Sequence, residues 1–361
     1  MSEVERRSER EMEREMENEM TTVAITGASS LIGRSLAALL VARGDRVVAF
    51  QRGEFSSDPA DTDLVARVEQ VRGDVRDRAA LDAALVGCDV VVHLAAKVGV
   101  VGDRDEYVAI NVEGTRNVLA AARHNGLRGV VHVSSPSVAH DGRPIVGGAA
   151  DPPVEDHGAA WYPETKAIAE RDALAASDDT CAVVAIRPHL VWGPGDTQLV
   201  GRIVERAEAG RLALVGGGRA LVDTTYIDNA ATALAAAVDT VRPGSTCAGK
   251  AYVVSNGEPR PIRELVEAFC RGAGVPFEPR NVPLPVALRM GSLIDRIWPR
   301  LRRSDEPPLT RFVAEQLGTA HWFDQRAVRS DLGWQPDVSI DEGLDALAEW
   351  FDAGRTEPPS R

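Results

Sequence analysis

The 361-residue chain contains no run of 18 apolar residues, so no transmembrane helix is expected. Its four cysteines, Cys88, Cys181, Cys247 and Cys270, are scattered without a CxxC pair, which argues against a disulfide framework and a clustered metal centre. They read as free core thiols of a reducing compartment. Positive charge is also in short supply. The net charge of −13 argues against general affinity for nucleic acid or an anionic membrane. The charged N-terminus lacks the apolar segment of a secretory signal, and the chain reads as cytoplasmic. What is present, 44% hydrophobic and 26% charged residues, is an ordinary globular composition, long enough for one large or two small domains.

Residues 1–20 stand apart, with eight Glu, four Arg and four Met and no Gly, Pro or aromatic residue. A helix here would pair Glu3 with Arg7 but stack Glu9 on Glu13 and Glu13 on Glu17. No apolar stripe would dock it, so a solvated, disordered tail is expected, with Met20 a candidate start of the folded chain.

From Thr21 onward strands and helices alternate. TTVAITG is a β-branched run, and the helix that follows places Ile32, Leu36, Leu39 and Leu40 on one face and closes at Gly44. Further strands are expected at Arg46–Phe50, Val68–Val75, Asp89–Ala96, Gly129–Ser135, Cys181–Pro188 and Ala251–Gly257, with helices near Arg78–Leu85 and Tyr107–Asn125. The continuous apolar run DVVVHLAA is typical of a strand buried on both faces. This pattern predicts an α/β fold, a doubly wound Rossmann-type parallel sheet with a smaller C-terminal substrate lobe. The sheet domain is expected over 21–190 with 223–257 returning to it, and the lobe over 191–222 and 258–361.

Three motifs carry chemistry. Gly27, Ser30 and Gly33 have the spacing Gly-x-x-Ser-x-x-Gly at the first strand-to-helix turn, where glycines let the backbone approach a pyrophosphate at the helix N-terminus. Ser30 replaces the usual middle glycine, and its hydroxyl could add a hydrogen bond to phosphate. At the end of the second strand an acidic residue would hold the ribose of NAD, but Gln51 and Arg52 stand there, with Arg34 close by. A guanidinium suits a 2′-phosphate, which favours NADP over NAD. Downstream, Ser134-Ser135 ends a strand, and Tyr162 and Lys166, four apart, share one helix face. An ammonium near a phenol lowers the tyrosine pKa toward working pH and makes it a usable proton donor.

With these motifs the chain resembles the extended short-chain dehydrogenase/reductase superfamily, in the group of 3β-hydroxysteroid dehydrogenases and NAD(P)-dependent epimerases. The resemblance spans about Thr21 to Phe351 and rests on TGASSLIG, GDV at 73–75, HLAAK at 93–97, NVEGTRNV at 111–118, HVSSPSV at 132–138, YPETK at 162–166, RPHLVWGPGD at 187–196, DTTYIDNAA at 223–231 and DLGWQP at 331–336. It implies catalytic roles for Ser135, Tyr162 and Lys166. For the cofactor it implies Gly27, Ser29, Ser30, Leu31, Ile32 and Gly33 at the turn, Arg52, and Asp74 with Val75 at adenine. Leu94, Ala95, Ala96 and Lys97 would line it, Asn111 occupies the family's Asn motif, and Pro188 would flank the nicotinamide. Pro163 after the tyrosine departs from the family pattern but fits a helix's first turn.

Within the group, SSPSV, RPHLVWGPGD and DTTYIDNAA most resemble the β-keto acid reductases of bacterial long-chain olefin biosynthesis. That resemblance implies NADPH-dependent reduction of a 2-alkyl-3-oxoalkanoic acid to the 3-hydroxy acid, and a homodimer by family habit. A 3β-hydroxysteroid dehydrogenase, a nucleotide-sugar epimerase and a non-catalytic NADP-binding redox sensor are the alternatives; the intact Ser–Tyr–Lys set argues against the sensor.

Other residues have plainer readings. His93 and His132 are expected to be core histidines bonded to backbone, and His189 either to face the site or to serve packing. His140, Asp141 and His157 lack ligand spacing and read as loop, so no metal site is expected. Gly216–Arg219 reads as a hairpin turn, and Trp161 is expected to pack beside Tyr162. Within residues 284–303, a helix up to Pro299 would place Leu284, Leu288, Ile294, Ile297 and Trp298 broadly on one side and Arg289, Ser292, Asp295 and Arg296 largely on the other. An ordinary lid helix and a surface that touches membrane or a lipid-delivering partner are both open readings.

Overall fold

The structure is a computed structural model that describes residues 20–99, 102–158, 160–298, 307 and 309–354. The tail expected at 1–20, except Met20, and Arg300, Arg302 and Arg303 lie outside the described residues.

Seven strands, β1 (Thr22–Thr26), β2 (Arg46–Gln51), β3 (Glu69–Arg72), β4 (Val90–His93), β5 (Gly129–Val133), β6 (Ala182–Pro188) and β7 (Ala251–Val254), form one parallel sheet in the order β7-β6-β5-β4-β1-β2-β3. The strand order reverses direction between β1 and β4, which opens a crevice at the carboxyl ends of the strands. Alternation of side chains gives the sheet two apolar faces. Val23, Ile25, Val90, Val92, Val131 and Val184 point to one face, Ala24, Val91, Val130 and Val183 to the other. Of the helices α1 (Leu31–Ala42), α2 (Gly114–His124), α3 (Trp161–Ala175) and α4 (Ile227–Thr240), α1 and α4 supply Leu36, Leu40, Leu234 and Val238 to the first face. α2 and α3 supply Val118, Leu119 and Ala173 to the second.

The rest of the chain adds three smaller cores. Leu265, Phe269, Ile340 and Leu347 pack with Trp192 and Tyr226. A four-stranded sheet joins Arg260–Pro261, Leu221–Val222, His321–Phe323 and Ile145–Gly148. Helices α5 (Leu284–Ile297) and α6 (Arg311–Gly318) cross closely, because a Cβ at Gly291 would lie 2.5 Å from the backbone nitrogen of Arg311.

Several local expectations are corrected. The helix expected over Tyr107–Asn125 is interrupted by a π-helical turn at Val108–Glu113, which directs Asn111 into the interior. β3 stops at Arg72, because Gly73 turns against the Phe50 ring, where a Cβ would come within 2.5 Å. Gly216–Gly218 is a 3₁₀ turn linking two strands that belong to different sheets, so it closes no hairpin. On α5 the inward face is Ala287 and Gly291 with Leu284 and Leu288, and Ile297 lies on the opposite, exposed side.

Candidate active site

The Gly-rich turn is built for close approach. Gly27 has φ +70°, and a Cβ there would meet the Ala95 backbone nitrogen at 2.8 Å; a Cβ at Gly33 would meet the Ala28 carbonyl oxygen at 2.6 Å. The Ser30 hydroxyl is the N-cap of α1 and accepts from the Gly33 N–H at 3.1 Å. One of its two lone pairs is thus engaged by the helix, and its O–H remains free to donate to a phosphate. Ser29 accepts at its carbonyl oxygen from the Arg34 guanidinium at 2.9 Å, and Arg34 also pairs with Asp61 at 3.5 Å. Leu31 and Ile32 open α1 half-buried.

At the end of β2, the amide of Gln51 is buried with neither its oxygen nor its nitrogen hydrogen-bonded. Arg52 is exposed, and no ion pair holds it among the described residues. Asp74 is gripped by Arg76 at 2.9 and 2.7 Å, and its pKa is lowered by that guanidinium with Arg52 adding to the effect. Arg76 is therefore a second cation at this edge, one the motif pattern did not single out. Val75 packs where a Cβ on Gly114 would lie 2.7 Å from it. The glycine cradle, the orphaned Gln51 amide and the uncommitted Arg52 together fit a dinucleotide laid across the crevice.

A buried chain of hydrogen bonds braces this crevice. The Thr115 hydroxyl donates to the Asn111 carbonyl oxygen at 2.6 Å, so it accepts from His93 Nε2–H at 3.0 Å. That tautomer leaves His93 Nδ1 to accept from the Thr26 hydroxyl at 2.7 Å. His93 is thus bonded to two threonine side chains rather than to backbone. Asn111 donates to Thr165 Oγ1 and the Lys97 carbonyl oxygen and accepts from the Lys97 N–H at 2.7 Å. It fastens the loop after β4, with Leu94, Ala95 and Ala96, to α3. The Lys97 side chain turns to Glu106 at 2.9 Å and lies over the Tyr107 ring. His132 is buried with no partner on either ring nitrogen, again unlike the backbone-bonded histidine expected.

Ser135, two residues past β5, is hydrogen-bonded to Ser137 Oγ at 2.9 Å, and its hydroxyl lies close enough to the Tyr162 phenol to act on its pKa. Tyr162 is the second residue of α3, with Pro163 inside the first turn. Lys166, one turn on, donates to the Val133 carbonyl oxygen at 2.7 Å. Burial lowers its pKa to about 8, against the opposing charge of Glu170. The Tyr162 pKa is raised, because desolvation outweighs the lowering by the nearby Ser135 hydroxyl; the lowering expected from the neighbouring ammonium does not prevail here. Pro188 ends β6, and Leu190, two residues on, is the one non-glycine with positive φ (+44°) among the described residues. His189 donates through Nδ1 to the Asp223 carbonyl oxygen at 2.5 Å and stacks edge-on with His321 and Phe323.

Beside Tyr162 opens a cavity of about 1020 Å³ lined by Tyr107, His140, Trp161, Tyr162, Trp298 and Phe312, among others. Trp161 lies under the Arg104 guanidinium. No group of three or more His, Cys, Asp or Glu able to hold a metal ion occurs among the described residues.

The wholly parallel sheet, its Gly-rich first turn and its flanking helices define an NAD(P)-binding Rossmann oxidoreductase of the short-chain dehydrogenase/reductase type, acting on CH–OH groups. Residues 24–286 match the model of the 3-beta hydroxysteroid dehydrogenase/isomerase family, and the chain belongs to that family. It is 47% identical over 327 residues to a 2-alkyl-3-oxoalkanoate reductase of Stenotrophomonas maltophilia, covering 90% of this chain and 98% of that one. It is 38% identical to a protein of the same name from Shewanella oneidensis, covering 90% and 84%. In fold it is similar to UDP-glucuronic acid 4-epimerase of Bacillus cereus in complex with NAD, with a TM-score of 0.69, 21% identity and coverage of 92% and 99%.

Proposed function

We propose that the protein uses NADPH to reduce the 3-keto group of a 2-alkyl-3-oxoalkanoic acid to the 3-hydroxy acid. The observation that carries the reading is Tyr162, beside the Ser135 hydroxyl and one helical turn from Lys166, at the wall of a large cavity. The names of the two close relatives support the substrate class. Gly27, Ser29, Ser30, Leu31, Ile32 and Gly33 would hold the pyrophosphate, and Asp74 and Val75 the adenine. Leu94, Ala95, Ala96, Lys97, Asn111 and Pro188 would frame the nicotinamide half. Arg52, with Arg76 beside it, would take the 2′-phosphate of NADP.

A reduced nicotinamide supplies the hydride when bound. Ser135 holds the carbonyl oxygen by a hydrogen bond. Tyr162 gives its phenolic proton to that oxygen as negative charge develops on it, and Lys166 stabilises the phenolate left behind. The neutral, half-buried phenol suits a proton donor. The cavity sets aromatic side chains beside charged ones, Arg104, Arg311, Asp103 and Glu315 among them, and the aromatic side chains would take the alkyl branches of the acid. The test is NADPH oxidation by the purified protein with 2-alkyl-3-oxoalkanoic acids, steroids and nucleotide sugars side by side; turnover of only the steroid or the sugar rejects the reading.

We also propose that α5 meets a lipid surface. Val286, Met290, Leu293 and Ile297 follow the helical repeat and are 43–57% exposed, with Arg289 and Arg296 bordering them. None of the described helices is long and apolar enough to cross a membrane.

A further inference from the structure

Lys166 and Glu170 lie one turn apart on α3, and both are shut away from solvent, at 3% and 0% exposure. Glu170 is held by Arg187 of β6, through Nε at 2.8 Å and Nη2 at 2.5 Å. Arg187, itself 1% exposed, also donates to the Asp151 carbonyl oxygen at 2.8 Å and directly precedes Pro188. A buried ion pair is a poor device for stability alone, since well-packed apolar residues often serve equally well. Its location offers a better reason.

The groups facing Lys166 come from three elements. His93 on β4 and His132 on β5 are buried and kept neutral, each feeling the ammonium. Tyr162 and Glu170 share its helix, and the Val133 carbonyl accepts its proton. Glu170 is the carboxylate whose charge acts on Lys166, opposing the burial that drives the ammonium toward neutrality.

We propose that the Glu170–Arg187 pair is a positioning unit for the active site. It ties α3, which carries Tyr162 and Lys166, to β6, which carries Pro188, and it sets a fixed negative charge beside Lys166 that keeps the ammonium charged at working pH. This rests on the reading of Lys166 as a working ammonium given above.

The chain has three lysines, Lys97, Lys166 and Lys250, so ¹³Cε resonances of lysine-labelled, cofactor-free protein report Lys166 directly. In the wild type Lys166 titrates at about 8. In Glu170→Gln the midpoint falls by about one pH unit, while Lys97 and Lys250 are unmoved. Glu170→Gln strands the Arg187 charge and risks misfolding, so the double variant Glu170→Leu/Arg187→Met, which keeps an apolar core, serves as the second arm. The midpoint still falls there, but by less than in Glu170→Gln, because the Arg187 positive charge is removed together with the carboxylate. An unchanged Lys166 midpoint in either folded variant overturns the proposal. The alkaline limb of kcat/KM follows the midpoint to lower pH; a midpoint that moves while the limb stays leaves the electrostatic inference standing and rejects the assignment of Lys166 to the reaction.

Discussion

The ammonium of Lys166 donates to the carbonyl oxygen of Val133 at 2.7 Å, two residues before Ser135. The strand that presents the serine is thereby fastened to the helix that presents Tyr162, which sets the Ser135 hydroxyl beside the phenol. Four residues' spacing on a helix becomes a fixed geometry only because β5 lies against that helix.

Cofactor choice is tested at Arg52. Arg52→Ala should weaken NADPH binding by about one to two decades, the worth of a hydrogen bond to a charged group, and leave NADH binding nearly unchanged. Equal weakening of both in a fluorescence titration contradicts the NADP reading.

Asn111 is predicted to be worth more to folding than to chemistry. Asn111→Ala removes three hydrogen bonds and leaves the Lys97 backbone groups without their partner. The loss in urea unfolding should be at least about 2 kcal/mol. A change below about 0.5 kcal/mol would show that the π-helical turn does not depend on this clamp.

Stability should fall on mild acidification. His93 and His321 are lowered to about 3 and His189 to about 4, all chiefly by burial. Between those values and the ordinary 6.5 the unfolded chain binds protons that the folded one refuses. Stability is therefore full above about pH 6.5 and declines as pH drops below it, by roughly 1.4 kcal/mol per pH unit for each such histidine. Urea midpoints at pH 7, 6 and 5 measure the slope, and His321→Asn should flatten it. A midpoint constant from pH 7 to 5 contradicts the burial of these rings as neutral groups.

The exposed stripe of α5 predicts co-sedimentation with anionic vesicles at low salt that weakens at high salt. Met290→Glu/Leu293→Glu should abolish it without altering turnover of a soluble short-chain substrate. A wild type that stays in the supernatant under both conditions makes α5 a plain lid.

Much of this was legible in the chain. Glycine spacing, apolar alternation and Tyr-x-x-x-Lys are local patterns, and local patterns report strands, turns and helix faces. What escaped depends on contacts distant in sequence. The Thr26–His93–Thr115–Asn111 chain joins β1, β4 and α2, and Glu170 meets Arg187 across 17 residues. The α5 faces do not follow from its periodicity, because α6, rather than the helix's own hydrophobicity, decides which side is covered. The rise in the Tyr162 pKa also needed the fold, since burial has no signature in a five-residue motif.

The most direct measurement is the turnover of Tyr162→Phe with NADPH and a 2-alkyl-3-oxoalkanoic acid, taken beside NADPH binding to the same variant. The account predicts binding close to wild type and turnover lower by at least about 10²-fold, the low end for losing a general acid. Near-normal turnover, with binding intact, would contradict the assignment of Tyr162 as the proton donor.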